Sequence, residues 1–311
     1  MVRKLDFIVF GMPRGGTSAV SRYISSVDEL YCGLEVFPVG LQHDRIDVPQ
    51  AFLERQHPRW SPVAVKDVME RADTVQRYGN KTPYYIYRLP AILRELDNCP
   101  AVGCVREVRP IAMSYSTRAA NPRDTWDTGR RGLFAAGDAV MLVHVLLNLP
   151  PRTNVMIVPQ AALLADWRAV MTKVVGHIAP GTPAVFNPER LGEIDEIKTT
   201  QVGRAKVELV DVEEEALARL EGTGLGELFS RDDVFLVNDV RDELAAIKAA
   251  CPPDPVAFIG ELAERHPEPT LMEYYGRWAN LAGKAFQRMY KPQQPGGGRR
   301  ARAGKAAQGA A

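Results

Sequence analysis

The chain has 311 residues, of which 46% are hydrophobic and 25% are charged, so it can bury one good-sized core. Its 39 lysines and arginines almost balance its 38 aspartates and glutamates, which leaves a formal net charge of +1. This composition gives no overall basic field to attract nucleic acid or an anionic membrane, so any anion site has to be local.

Cysteine spacing and the N-terminal residues indicate the cellular compartment in which we expect the protein. The four cysteines show neither Cys-x-x-Cys spacing nor the density of a disulfide framework, which predicts reduced thiols and no zinc site. The first apolar run contains Asp6 and ends at Gly11, so it is too short for a signal peptide or a membrane span. We therefore expect a cytoplasmic protein with neither a membrane nor a nucleic-acid partner. Its oligomeric state is left open.

Strands are predicted to alternate with helices along most of the chain. A nearly continuous apolar run, residues 5–10, is typical of a central parallel strand covered on both faces. Further strands are predicted at residues 101–105, 155–158 and 234–237. Helices are predicted at residues 17–26, 90–96, 110–120, 133–147, 166–178, 212–220 and 270–290.

This order predicts an α/β fold, a three-layer P-loop-like parallel sheet flanked by helices, with its ligand site at the carboxyl ends of the strands. We expect one domain over residues 1–291, made of a core at about 5–180 and a helical C-terminal extension at about 181–291. Residues 292–311 lack apolar periodicity and are predicted to be a disordered tail.

A glycine loop between the first strand and the first helix predicts a phosphate site. The start of a helix has unpaired N–H groups and partial positive charge, and Gly15 and Gly16 let the backbone approach an anion closely. Arg14 adds a permanent charge, and Thr17 and Ser18 add hydroxyls. A Walker A lysine is missing from this loop, which disfavours a P-loop kinase that uses Mg²⁺ and ATP.

A second anion-binding site is predicted where the strand at residues 101–105 ends. Arg106 closes that strand and Ser114 lies in the next helix, so a guanidinium and a hydroxyl can hold one phosphate together. Arg109 and Thr117 form a competing pair with the same eight-residue step. Two separate anion-binding sites predict a nucleotide that is phosphorylated at two places.

A candidate acid–base group lies between these anchors. Lys81 stands in a segment with turn-forming residues, and Glu35 stands among apolar neighbours, where loss of water would raise the basicity of a carboxylate. Other candidate bases are Asp28, Glu29, Asp44 and His43.

Together these motifs resemble the sulfotransferases that use 3′-phosphoadenosine 5′-phosphosulfate (PAPS), in particular the Golgi-type and bacterial members. The segment at 13–17, Pro-Arg-Gly-Gly-Thr, resembles their 5′-phosphosulfate loop, and that at 79–84, Gly-Asn-Lys-Thr-Pro-Tyr, is similar to their lysine element. Arg106 and Ser114 keep the step of the 3′-phosphate motif, although Pro110 is displaced from the usual place. Glu35 falls where many members have a catalytic carboxylate, although Leu34 replaces a frequent lysine. The resemblance covers residues 5–180.

The resemblance implies a role for each candidate residue. Glu35 would be the general base, and Arg14 and Lys81 would stabilise charge on the leaving phosphate and the transferring group. Residues Arg14, Gly15, Gly16, Thr17 and Ser18 would hold the 5′-phosphate, and Arg106 and Ser114 the 3′-phosphate.

The implied donor is PAPS, with the bisphosphate PAP as product and no metal, and the implied acceptor is a hydroxyl, or less favourably an amine, of a small metabolite or glycan. An Ala- and Arg-rich composition would suit secondary metabolism in a high-GC bacterium. The alternatives are a P-loop kinase and a nucleotide-binding protein of the same fold without catalysis.

Acceptor specificity is expected in two loops, residues 37–60 and 121–132. The second contains Asp124, Trp126, Asp127, Arg130 and Arg131, and the sequence favours a mobile polar loop there. His144 is expected to be a core histidine. The aromatic residues of the helix predicted at 270–290 are expected to serve packing.

Overall fold

Six strands form one sheet in the computed structural model, which describes residues 4–36, 71, 73–191 and 207–290. The strands lie in the spatial order β2-β3-β1-β4-β5-β6. The first five are parallel, and β6 pairs antiparallel with β5 at one edge. The bounds are β1 Phe7–Gly11, β2 Leu30–Leu34, β3 Arg77–Lys81, β4 Ala101–Val105, β5 Val155–Pro159 and β6 Phe235–Leu236.

Helices connect the strands and continue after the sheet. Those of the sheet region are α1 Thr17–Ser25, α2 Leu89–Glu95, α3 Val108–Ala119, α4 Leu133–Leu147, α5 Gln160–Ala165 and α6 Trp167–Ile178. Those that follow are α7 Asp211–Ala218, α8 Leu225–Phe229, α9 Arg241–Ala250, α10 Pro255–Arg265 and α11 Pro269–Tyr290. Short 3₁₀ helices span Pro83–Tyr87 and Val237–Val240.

Both faces of the sheet are covered, which explains why β1 is apolar at every position. Phe7 and Val9 point into a core shared with α1 and α6. Ile8 and Phe10 point into a larger core on the opposite face, because successive side chains of a strand alternate between faces. The result is the three-layer arrangement of helices, sheet and helices.

The larger core is organised around α4. Fourteen of the fifteen residues of this helix are buried, so apolar partners surround it. The C-terminal helices supply many of them, including Leu217, Leu244, Ile259 and Trp278. The helices after residue 210 therefore share their core with the sheet region.

The predicted α/β class is confirmed, and the strands at 101–105 and 155–158 and the helix at 133–147 agree with the observed bounds to within one residue. The strand predicted near residue 235 exists, but it is antiparallel to its neighbour and only two residues long. The sequence reading missed β2 and β3. It took residues 79–81 as a turn, whereas they end β3, whose polar side chains are buried through specific partners.

Within the described ranges, no helix combines the length and the apolar character needed to cross a membrane.

Gly11 ends β1, and we predict that Gly11→Ala destabilises the fold. Its φ is +140°, and an added Cβ would lie 2.2 Å from the backbone oxygen of Cys104 on β4. Backbone strain and this collision should together lower the free energy of unfolding by roughly 2–4 kcal/mol, measured by urea denaturation.

The matched control is Gly176→Ala in α6. An added Cβ there meets nothing within 4 Å, so helix propensity should raise stability by up to about 1 kcal/mol. Equal effects of the two substitutions would contradict the role of Gly11.

Candidate active site

The sheet order brings four candidate residues to the edge that is formed by the carboxyl ends of the parallel strands. β1 lies between β3 and β4, and in parallel strands the carboxyl ends meet at the same edge. Lys81 is the last residue of β3, and Glu35 and Arg106 directly follow β2 and β4. Arg14 lies in the loop between β1 and α1. Residues that are far apart in the chain therefore surround the end of β1.

The loop after β1 is tightly folded and leads directly into α1. The N–H of Gly15 donates to the oxygen of Met12 at 2.9 Å, which closes a turn. That N–H is thus engaged inside the loop, in contrast to the expectation that it would face a phosphate. Gly16, at φ 98°, is the residue before α1, and no side chain of the described residues caps the helix. The amide groups of Gly16, Thr17 and Ser18 thus form an uncapped helix start, which favours an anion.

Arg14 connects the two predicted phosphate anchors. Its Nε donates to Ser114 Oγ at 3.1 Å, across a separation of 100 residues in the chain. Loss of hydration, together with the like charges of Arg118 and Arg106, lowers the pKa of Arg14. Burial also lowers the pKa of Arg106. The loop and the end of β4 therefore form one cationic cluster whose charges repel one another.

Arg118 is a member of this cluster that the sequence reading missed. It lies four residues after Ser114 on α3, so the two side chains share a helix face. Asp124 pairs with Arg118 at 2.6 Å, and this hydrogen-bonded partner lowers the pKa of the Asp124 carboxyl. The four-residue spacing within a predicted helix was the signal that could have identified Arg118.

The competing pair Arg109 and Thr117 is engaged elsewhere. Arg109 forms an exposed ion pair with Glu214 at 2.8 Å, and this hydrogen bond raises the pKa of Arg109. Thr117 Oγ1 accepts a hydrogen bond from the N–H of Val207 at 3.2 Å. The geometry therefore favours Arg106 and Ser114 as the second anchor.

Lys81 and Glu35 form an ion pair at the same edge. Lys81 Nζ lies 2.7 Å from Glu35 Oε1, and the two side chains are 4% and 33% exposed. The carboxylate thus has a buried cationic partner and an open side, where the sequence predicted apolar surroundings. The open side leaves Glu35 accessible to a bound molecule.

Neighbouring backbone contacts fix the position of Glu35. Its N–H donates to the oxygen of Lys81 at 2.7 Å, and Asn80 Oδ1 accepts from the N–H of Val36 at 3.1 Å. Asn80 is fully buried and also donates to Thr82 Oγ1 at 3.1 Å. Glu35 has φ 60° and Arg14 has φ 67°, so two predicted catalytic residues hold a strained left-handed backbone.

The other candidate bases do not lie at this edge or cannot be placed. Asp28 and Glu29 precede β2, so they lie at the opposite end of the strands, and Asp28 pairs with Arg190 at 2.7 Å. Asp44, His43 and the loop predicted at 37–60 lie outside the described residues, as does the predicted tail. In the described ranges, no cluster of three or more His, Cys, Asp or Glu side chains could hold a metal ion.

His144 is a core residue, as expected. Its Nδ1 lies 2.6 Å from Tyr290 Oη at the end of α11. Burial and the charge of Lys248 lower the pKa of His144 to about 4, so the ring is neutral near pH 7.

A cleft of about 420 Å³ opens beside Glu35. Besides Glu35 and Thr82 it is lined by residues of the 3₁₀ helix and α11, namely Tyr84, Tyr274, Arg277, Trp278 and Leu281. The expectation that the aromatic residues of the last helix serve packing alone is therefore incomplete, because Tyr274 and Trp278 face both core and cleft.

Behind this cleft, Arg130 and Asp138 form a buried ion pair. Their charged atoms are 3.4 Å apart, and Asp138 is fully buried. Tyr115 Oη and Trp278 Nε1 donate to Asp138 at 3.0 and 2.9 Å, and Tyr87 donates as well. The guanidinium of Arg130 lies over the rings of Tyr84, Tyr115, Trp126 and Tyr274.

Residues 121–132 are packed rather than forming the mobile polar loop that the sequence favoured. Arg130 is buried, and Arg131 pairs with Glu268. Asp127 pairs with Arg277 of α11, and Trp126 Nε1 donates to the backbone oxygen of Arg130 at 2.9 Å. The loop is thereby attached to the helix that lines the cleft.

Comparison with known proteins gives only remote structural likeness. No protein-family model and no curated protein sequence matches the chain. Among solved structures, a sulfotransferase domain from the curacin biosynthetic pathway is similar, with 12% identity, a TM-score of 0.38 and coverage of 71% of this chain and 98% of that domain. A sulfotransferase domain from the Synechococcus PCC 7002 olefin synthase is similar at 17% identity, with a TM-score of 0.41 and coverage of 74% and 95%. Both TM-scores lie below 0.5, so neither likeness indicates what this chain does.

Asp138 is predicted to stabilise the structure through Arg130. Asp138→Asn removes the counter-charge of a buried guanidinium, so the free energy of unfolding should fall by roughly 3–5 kcal/mol in chemical denaturation. The control Asp233→Asn affects an ion pair with Lys173 whose aspartate is 57% exposed, and should cost less than about 1 kcal/mol. A loss at position 138 no larger than the control would show that the buried pair is dispensable.

Proposed function

We propose that the chain is a sulfotransferase that moves a sulfuryl group from PAPS to a hydroxyl group, with Glu35 as general base. The observation that carries the proposal is the meeting of both predicted anion anchors and a lysine-paired carboxylate at one sheet edge. Arg14 links the anchors through Ser114, and Lys81 holds Glu35 beside an open cleft.

The cationic cluster suits a donor with two phosphate groups. Arg14, Arg106 and Arg118 lie close enough for their charges to interact, and the uncapped start of α1 adds partial positive charge. The 5′-phosphosulfate fits at Gly16, Thr17, Ser18 and Arg14, and the 3′-phosphate fits at Arg106 and Ser114. A dianionic group there relieves the repulsion between the arginines, which would otherwise destabilise the empty site.

The residues at the carboxyl ends of the strands position the reacting groups and supply charge for an in-line transfer of the sulfuryl group. Glu35 accepts the proton of the acceptor hydroxyl, a role worth roughly 10²–10⁴ in rate. Arg14 and Lys81 stabilise negative charge on the leaving phosphate and the transferring group, and each is worth roughly 10² or more if it acts as a preorganised donor. Lys81 also orients Glu35 through their 2.7 Å contact. The energetic logic is that of phosphoryl transfer, where positioning and electrostatics dominate.

Two alternatives are separated by direct measurements. A kinase of P-loop type would be stabilised against heat by magnesium and ATP, whereas the proposed enzyme responds to PAP alone. A nucleotide-binding protein without catalysis would bind PAP and show no turnover.

Glu35→Gln is predicted to lower sulfuryl transfer by at least about 100-fold, because the amide cannot accept the proton. Binding of PAP, measured by calorimetry, should change by less than about threefold, since Glu35 contacts Lys81 rather than the arginine cluster. Asp28→Asn is the matched control, a paired carboxylate at the opposite edge, and should retain full activity. Full activity of Glu35→Gln would remove Glu35 from the proposed role.

Arg106→Ala should erase the preference for PAP over adenosine 5′-monophosphate. The lost charge-assisted hydrogen bond corresponds to roughly a 10- to 100-fold fall in the ratio of the two affinities. Arg109→Ala is the control, because its guanidinium pairs with Glu214, and the ratio should stay unchanged. The opposite pattern in the two variants would assign the second anchor to Arg109 and Thr117.

A further inference from the structure

We propose that the cleft beside Glu35 is the acceptor site, and that it takes a hydroxyl group on an aromatic ring rather than on a glycan. This inference rests on the proposed function, because Glu35 provides the base and the arginine cluster the donor site. It adds the substrate class and assigns its recognition to α11.

Position and size make the cleft suitable for an acceptor. Glu35 and Thr82 line it together with residues of α11, so a molecule inside it contacts the carboxylate. Its volume of about 420 Å³ lies within the usual range for small-molecule pockets, roughly 300–1,000 Å³. That space suits a molecule of one or a few rings.

The polar ends of two lining aromatic side chains, Trp278 and Tyr84, are bound inside the protein. Trp278 Nε1 donates to Tyr87 Oη at 3.0 Å and to Asp138 Oδ1 at 2.9 Å, and Tyr84 Oη accepts from Arg130. Because these groups have inward partners, these two aromatic residues contribute mainly hydrocarbon to the cleft. Leu281, which is 36% exposed, extends this apolar wall.

The aromatic wall is held in place from behind. The guanidinium carbon of Arg130 lies 5.0 Å from the ring centre of Tyr84 and 5.9 Å from that of Tyr274, within the range of cation–π contacts. Phe134 also packs edge-on against Tyr274 at 4.7 Å between ring centres. A wall fixed in this way binds a flat ring without first ordering its own side chains, which lowers the entropic cost of binding.

Three of the polar lining residues already have a protein partner. Glu35 pairs with Lys81, Thr82 Oγ1 accepts from Asn80, and Arg277 pairs with Asp127. A sugar with several hydroxyls would have to share these partly engaged groups, whereas a flat ring needs only the apolar wall and one polar contact at Glu35.

An aromatic hydroxyl also suits the chemistry. Carboxylates are weak bases, and a phenol, with an ordinary pKa near 10, releases its proton more readily than an aliphatic alcohol. In the transfer, the phenolic oxygen forms a bond to sulfur while the bond from sulfur to the donor phosphate oxygen breaks. Glu35 takes the proton, and PAP and an aryl sulfate are the products.

The test is calorimetric titration of 2-naphthol into the full chain saturated with PAP. We compare the unmodified chain with Leu281→Asp, which places a charge in the apolar wall at a partly exposed position, and with Leu164→Asp, the same change at a site on α5 that is 74% exposed. We expect Leu281→Asp to weaken 2-naphthol binding at least tenfold and Leu164→Asp to change it less than twofold. Both variants should keep their affinity for PAP.

A parallel assay supplies PAPS with 2-naphthol or N-acetyllactosamine and detects the sulfated product by mass spectrometry. Formation of naphthyl sulfate in excess of sulfated sugar supports the inference. Absence of 2-naphthol binding, equal binding by Leu281→Asp, or preferential sulfation of N-acetyllactosamine would each overturn it. PAP binding is measured separately, so a chain that fails to bind PAP overturns the proposed function, whereas a chain that binds PAP but not 2-naphthol loses only the acceptor class.

Discussion

The parallel pairing of β1 with β3 on one side and β4 on the other is the constraint on which the candidate site depends. Because β1 is central, its carboxyl end is flanked by Lys81 at the end of β3 and by Arg106 after β4. Full burial of β1 on both faces holds this arrangement in register. A shift of one residue in any of these pairings would turn Lys81 or Asn80 towards the wrong face of the sheet.

The site concentrates positive charge in a chain whose formal net charge is only +1. Arg14 before α1, Arg106 before α3 and Arg118 in the last turn of α3 lie close together, and burial together with the repulsion among them lowers the pKa of Arg14. At the same edge, Lys81 and Glu35 form an ion pair and neutralise each other. One part of the edge is therefore cationic, and the other part is nearly neutral. Such a division suits the proposed reaction between a highly charged donor and a weakly polar acceptor.

The C-terminal helices take part in the same structure as the sheet. Trp278 of α11 donates to Asp138 of α4, which also accepts from Tyr115 of α3 and pairs with Arg130. This buried network joins the last helix, the 121–132 segment and the 3₁₀ helix after β3. Burial of the two charges, Arg130 and Asp138, costs free energy. Their ion pair and hydrogen bonds offset this cost only while every partner is present. The network therefore fixes the shape of the cleft wall and ties that shape to the stability of the fold.

The sequence alone determined the α/β class and most of the strands and helices, and it indicated the residues that are proposed to hold phosphate. Local signals carried these predictions: continuous apolar runs for buried strands, and a glycine loop before a helix. The sequence also favoured Arg106 and Ser114 as the second anchor, because Arg106 closes a strand, and it kept Arg109 with Thr117 as the competing pair. The tertiary structure adds that Arg109 pairs with Glu214, whereas Arg14 donates to Ser114.

Tertiary structure decided what local patterns do not encode. β3 has the sequence Arg-Tyr-Gly-Asn-Lys, which resembles a turn, and it becomes a strand because β1 and β2 pair with it and because Asn80 and Lys81 find buried partners. The pairing of Glu35 with Lys81, across 46 positions, and the attachment of α11 to the site likewise depend on contacts between distant segments. Side-chain periodicity reports whether a residue is buried. It does not report which segment buries that residue, and the cleft is formed by such contacts between distant segments.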